Sequence, residues 1–163
     1  MDGCRKYTAV ASRCSVSAGT IYNYYESKAD LLNDTIESIW HEIFFHPEDE
    51  QIFHDVESCI SWIYERLEYG NRQFPGFFSL HSFGFMRDEK TSGKKRMMKT
   101  WGHILNGLCE VLGNDPKVRA DVFDQEFTEK KFADILFSLI LVSMIRQDYD
   151  PSSVLMLVKK TLY

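Results

Sequence analysis

Proline and glycine are scarce, four and nine in 163 residues, which argues against the turn-dense pattern of a sandwich or barrel and excludes a collagen-like chain. A hydrophobic content of 44% excludes disorder. Cysteines are few: Cys4, Cys14, Cys59 and Cys109 stand far apart, with no Cys-x-x-Cys and no Cys/His pair at metal-ligand spacing. Reduced cytosolic thiols, with no metal and no cofactor, are the expectation. Long apolar runs are missing too. The nearest approach, Ile135 to Ile145, is broken by Ser138 and Ser143, and the start, MDGCRK, has no apolar core of a leader. Neither a membrane span nor an export signal is expected. Catalytic signatures are equally absent: no G-x-S-x-G, no glycine-rich phosphate loop and no H-E-x-x-H. Paired carboxylates such as Asp121 and Asp124, or Glu126 and Glu129, read as solvated faces. The chain is not expected to be an enzyme.

Positive charge is also in deficit. Nineteen basic against 24 acidic residues give a net charge of −5 and leave no whole-molecule field that would draw the protein to nucleic acid or anionic lipid. Any such binding must be local. Arg5, Lys6, Arg13 and Lys28 outnumber Asp2, Glu26 and Asp30 in the first 30 residues, so this segment is slightly positive and the remainder carries the acidity. Lys90, Lys94, Lys95, Arg96 and Lys99 form the densest basic run and, with Arg87 to Lys95 reading as a polar loop, are taken as a solvated loop in preference to a second nucleic-acid patch.

What the chain does have is helical periodicity. Tyr7, Val10, Ala11 and Cys14 define a short helix over 6–14. After a tight turn Ser17 caps a second helix, with Val16 and Ile21 at the spacing of a hydrophobic staple. Ser27-Lys28-Ala29-Asp30 opens a long third helix with Leu32, Ile36, Ile39 and Ile43 on one stripe, ended by His46-Pro47. Phe53, Val56, Ile60, Ile63 and Leu67 mark a fourth, stopping near Gly70-Asn71. A short helix from Phe74 follows, then one from Met97 to Leu112, stopped by Gly113-Asn114-Asp115-Pro116. A helix from about Glu126 to Arg146 is apolar nearly all round, and Asp150-Pro151 opens the last. The fold class is all-α.

Two short helices joined by a turn of about three residues describe a helix-turn-helix whose second helix can enter a major groove. Ala18 and Gly19 allow close approach, and Thr20, Tyr22, Asn23 and Tyr24 offer donors, acceptors and ring faces. These residues also carry a resemblance. The run Val10-Ala11, Val16-Ser17, Gly19-Thr20-Ile21-Tyr22-Asn23-Tyr24-Tyr25, Ser27-Lys28 and Asp30-Leu31-Leu32 closely resembles the DNA-binding signature of TetR-family transcriptional regulators.

The resemblance implies base and groove contacts from Ser17, Ala18, Gly19, Thr20, Tyr22 and Asn23, phosphate contacts from Tyr24 and Lys28, and core positions for Ile21 and Tyr25. It implies a partial helix-turn-helix domain over 1–30, running through a connecting helix to about 45, and a helical ligand-binding and dimerisation domain over 46–163. The position usually occupied by glycine in the turn is Ser15 here; a left-handed conformation there would cost about 1 to 2 kcal/mol. Family members place a further amphipathic helix ahead of the one at 6–14, where this chain has five residues. That departure leads us to expect reduced cover for Val10, Ile21, Leu31 and Leu32, and poor order over 1–25.

If the later helices surround a cavity, Phe77, Phe78, Phe83, Phe85, Met86, Met98, Trp101 and Leu105 are expected to line it, with polar contacts from His81 and His103. The ligand would be apolar or aromatic. The last two helices are expected to form a homodimer, since a face so apolar needs a symmetry mate. The function expected is that of a ligand-responsive, dimeric regulator binding double-stranded operator DNA, a repressor by resemblance. The alternative is a helical dimer that binds small molecules or proteins while its shortened DNA head is idle.

Overall fold

A computed structural model describes residues 8–44, 53–78 and 92–163. The helices are α1 (Thr8–Arg13), α2 (Ala18–Tyr24), α3 (Lys28–Phe44), α4 (Val56–Gln73), α5 (Ser92–Asn114), α6 (Glu129–Arg146) and α7 (Ser152–Leu162), with no strand among the described residues. The fold is all-α, and no described helix is long and apolar enough to cross a membrane. The chain divides into two compact units, Met1–Ile39 and Trp40–Tyr163, the boundary falling inside α3.

In the first unit, Ala11 of α1 and Ile21 of α2 are buried against one another, with Ala18, Tyr25 and Leu31 half-buried around them. Val10 and Leu32 remain 42% and 50% exposed, so neither contributes to this small core. The stripe read from the sequence of α3 is correspondingly shifted. Its buried residues are Trp40, Ile43 and Phe44, all in the second unit.

The second unit is built on α4, whose buried face runs Val56, Cys59, Ile60, Ile63, Tyr64, Leu67 and Gly70. Helix α4 packs on α5 and α7, and α5 packs on α6. The last two helices contribute Phe132, Ala133, Leu136, Ile140 and Met144, then Val154, Val158 and Leu162. Each large side chain among them buries apolar surface worth about 1.5–3 kcal/mol. Gly70 does not end α4, as its residue type suggests, because it serves packing. A Cβ there would stand 2.7 Å from Ile43 Cδ1 and 3.0 Å from Phe78 Cζ, so only glycine lets these side chains close on the helix. Above it Trp40 gathers Phe77 at 5.5 Å and Phe78 at 5.6 Å between ring centroids. Pro75-Gly76 forms the turn that brings the two phenylalanines in: Gly76 has φ 81°, and the Phe77 N–H donates to the Phe74 carbonyl at 3.0 Å.

Helix ends explain the remaining boundaries. The guanidinium of Arg66 donates to the carbonyls of Ile43 and of Glu42 in the last described turn of α3. Helix α5 begins at Ser92, so Lys94, Lys95, Arg96 and Lys99 lie on a helix, where the sequence had suggested a loop reaching to Lys95. Helix α6 begins at Glu129, later than expected, because Asp124 first holds the N–H groups of Glu126 and Phe127 in a turn and Thr128 then caps Lys131. Asp150 accepts from the N–H and hydroxyl of Ser152, and α7 starts one residue beyond Pro151.

One buried carboxylate ties three segments together. Asp115, 6% exposed, accepts from the Val56 N–H at 2.9 Å, the Lys117 N–H at 2.9 Å and the Tyr163 hydroxyl at 2.5 Å. It joins the start of α4, the turn after α5 and the end of α7.

Candidate nucleic-acid interface and a second cavity

The angle between α1 and α2 is set by backbone chemistry at the turn. Ser15 has φ 55°, its N–H bonds the Ser12 carbonyl at 3.3 Å, and the next N–H, of Val16, bonds the Ala11 carbonyl at 3.0 Å. This is the left-handed helix ending usually made by glycine. Gln147 ends α6 in the same way at φ 54°. Helix α2 then starts on Ser17, whose Oγ accepts from the Thr20 N–H at 3.0 Å and lies 2.8 Å from the Thr20 hydroxyl. The start of α3 is fixed similarly: Ser27 Oγ accepts from the Asp30 N–H at 3.1 Å and donates to Asp30 Oδ2 at 2.7 Å. Tyr25 is held between these elements by a 2.7 Å bond from its hydroxyl to Asp34, which, with burial, pushes the phenol up.

The expected contact residues divide by face. Gly19, Tyr22, Asn23, Tyr24 and Lys28 are exposed, Tyr24 most of all at 80%. Ala18 and Thr20 are half-buried, and Ala18 packs on the Ala11–Ile21 core. A Cβ on Gly19 would meet only Ser17 Oγ at 3.6 Å, an ordinary contact. Nothing among the described residues therefore requires glycine there. The Ser17 and Thr20 hydroxyls engage each other while remaining within reach of solvent.

In the second unit a cleft of about 650 Å³ opens between α4 and α5. Phe44, Phe53, Cys59, Trp62 and Ile63 face Ile104, Leu108 and Val111 across it, with His54, His103, Glu110 and Asn114 as polar members. Burial pushes the Cys59 thiol up to about 12, so it is a neutral wall group. Of the residues expected to line a cavity, Phe77 and Phe78 are instead buried in the Trp40 cluster, Trp101 packs edge-on against Phe137 at 5.6 Å, and Leu105 is half-buried away from this cleft. His103 does line it. His46, Pro47, His81, Phe83, Phe85, Met86 and Lys90 lie outside the described residues, as does the side chain of Met98. Among the described residues no group of His, Cys, Asp or Glu is arranged to hold a metal ion.

A short helix locked across a left-handed turn from its predecessor, with polar and aromatic side chains on its open face, defines a helix-turn-helix, the class that reads double-stranded DNA. Residues 7–35 match the family described as bacterial regulatory proteins, tetR family, which identifies the amino-terminal segment as that of a TetR-family DNA-binding transcriptional regulator. No curated protein and no solved structure matches the chain significantly.

Proposed function

We propose that this regulator is a ligand-responsive repressor that acts in the cytoplasm as a homodimer. The observation that carries the DNA-binding part is the open face of α2, where Gly19, Tyr22, Asn23 and Tyr24 stand exposed behind the Ser17 cap. Tyr22 and Asn23 read bases, Ser17, Ala18, Gly19 and Thr20 set close approach to the groove, and Tyr24 and Lys28 contact phosphate. The domain reading is a DNA-binding head over 1–30, continued by α3 to about 45, and a ligand-binding and dimerisation body over 46–163. Support for the dimer comes from Ile135, Val142 and Ile145 on one stripe of α6, 44%, 45% and 51% exposed, together with Met156 and Leu157 on α7. A symmetric pair would present two recognition helices about 34–36 Å apart, or further, to a palindromic site. The cleft beside α4 supplies the effector site. A ligand with different affinities for two arrangements of the dimer would change the spacing of the heads and release the operator.

Fluorescence anisotropy with the gene's own upstream duplex and a random duplex, over a salt series, tests this. Specific binding that weakens steeply with salt is expected. Asn23→Ala should lower the preference between duplexes, while Lys28→Ala weakens both about equally. Equal affinity for the two duplexes at low salt would refute the regulator reading. The exposure of Val10 and Leu32 favours a second reading, in which the body binds its ligand or a protein while the head is idle. Ligand binding without any duplex preference is the outcome that selects it.

A further inference from the structure

The chemistry of the cleft between α4 and α5 narrows its occupant, an argument that rests on the reading of this cleft as the effector site. Its volume of about 650 Å³ suits a drug-sized molecule. One wall is a set of rings centred on Trp62, which lies 5.2 Å from Phe53 and 5.9 Å from Phe44 between centroids. Aromatic faces carry negative potential, and indole is the strongest of them in attracting a cation.

The charge on the lining has the same sign. Among the described residues Glu110 is the one carboxylate of the lining, and no lysine or arginine lines the cleft. The basic residue that follows the lining residue Pro116, Lys117, has its Nζ 2.9 Å from Asp55 Oδ2 and is neutralised by that pairing. Cys59 contributes no charge because its thiol is kept protonated. An anionic ligand would meet Glu110 with no cation among the described lining residues to offset it, and a neutral one could stack on the rings but would leave the carboxylate unused. We infer that the effector class is an aromatic cation, a ring system bearing an ammonium or similar centre, with its rings against Trp62 and its charge toward Glu110.

Three probes distinguish the possibilities by isothermal titration at pH 8: (1-naphthylmethyl)trimethylammonium, 1-naphthylmethanol and 1-naphthaleneacetate. The cation should bind roughly three- to thirtyfold tighter than the alcohol, with the acetate weakest. Glu110→Gln should bring the cation close to the alcohol while leaving the alcohol unchanged. Gly107→Leu should weaken every probe, because Gly107 lines the cleft and a Cβ there meets no atom within 4 Å, so a larger side chain grows into the open volume. Equal binding of cation and alcohol, or a preference that survives Glu110→Gln, overturns the cationic class and leaves the effector cleft standing. Failure of all three probes to bind, or binding indifferent to Gly107→Leu, removes the cleft as an effector site and this inference with it.

Discussion

Replacing Gly70 by alanine and, separately, Gly107 by alanine makes one chemical change within two helices of the same unit, with different consequences for stability. Alanine is favoured over glycine in a helix interior by about 0.8–1.0 kcal/mol, and both variants gain that much. At Gly107 nothing opposes the gain, since the new methyl group enters open space. At Gly70 the methyl group would sit 2.7 Å from Ile43 Cδ1, with Ile43 Cγ1 and Phe78 Cζ at 3.0 Å. Ile43 is 0% exposed and Phe78 1%, so neither can swing into solvent to make room. Overpacking of this kind costs about 1–3 kcal/mol, which cancels or exceeds the helix gain. Gly107→Ala should therefore be stabilised by nearly 1 kcal/mol, and Gly70→Ala should fall about 1–3 kcal/mol below it. For a chain of this length 1 kcal/mol moves the melting temperature by about 2–4 °C, within reach of thermal denaturation followed by circular dichroism. If Gly70→Ala melts as high as Gly107→Ala, the close approach of α4 to Ile43 and Phe78 is wrong.

Ser15→Gly relieves a left-handed serine and should stabilise the first unit by about 1 kcal/mol; a loss of stability would mean that the turn is not left-handed. At alkaline pH stability should decline. Cys59, pushed up to about 12 by burial, and Tyr163, raised by burial and by its bond to Asp115, both ionise more readily once unfolded. Their contribution is complete below the unfolded thiol value of about 8.5 and is lost as pH rises through the folded values. Urea midpoints at pH 8 and pH 10.5 measure that loss, and a midpoint that rises with pH would refute it. Ile145→Glu, at the most exposed position of the stripe on α6, should convert the proposed dimer to a monomer by sedimentation while retaining helical content; an undisturbed dimer would move the interface elsewhere.

The amino-terminal elements were legible because their chemistry is local. Ser17 with Thr20 and Ser27 with Asp30 bond across three residues, a relation that spacing alone reveals. Gly70 was misread as a stop because the reason for it, Ile43 and Phe78 closing on the helix, lies across the fold. The cleft lining was hidden for a related reason. Helix α5 is apolar on more than one side, and Trp101 goes to Phe137 of α6 while Ile104, Leu108 and Val111 go to the cleft beside α4. Periodicity announces that such a helix is buried, without naming the neighbour each side meets. Ser15 was legible as a departure, and its geometry shows that the backbone adopts the left-handed ending with a serine in place.

The knot at Asp115 bears on how the body is made as well as how it is held. Its carboxylate collects one donor from the entrance to α4, one from the turn after α5 and one from residue 163. During synthesis the first two partners emerge from the ribosome well before the third. The nascent body cannot finish satisfying this buried group until Tyr163 has followed the other two donors out of the exit tunnel, so the last fastening of the body is also the last to be synthesised of the three.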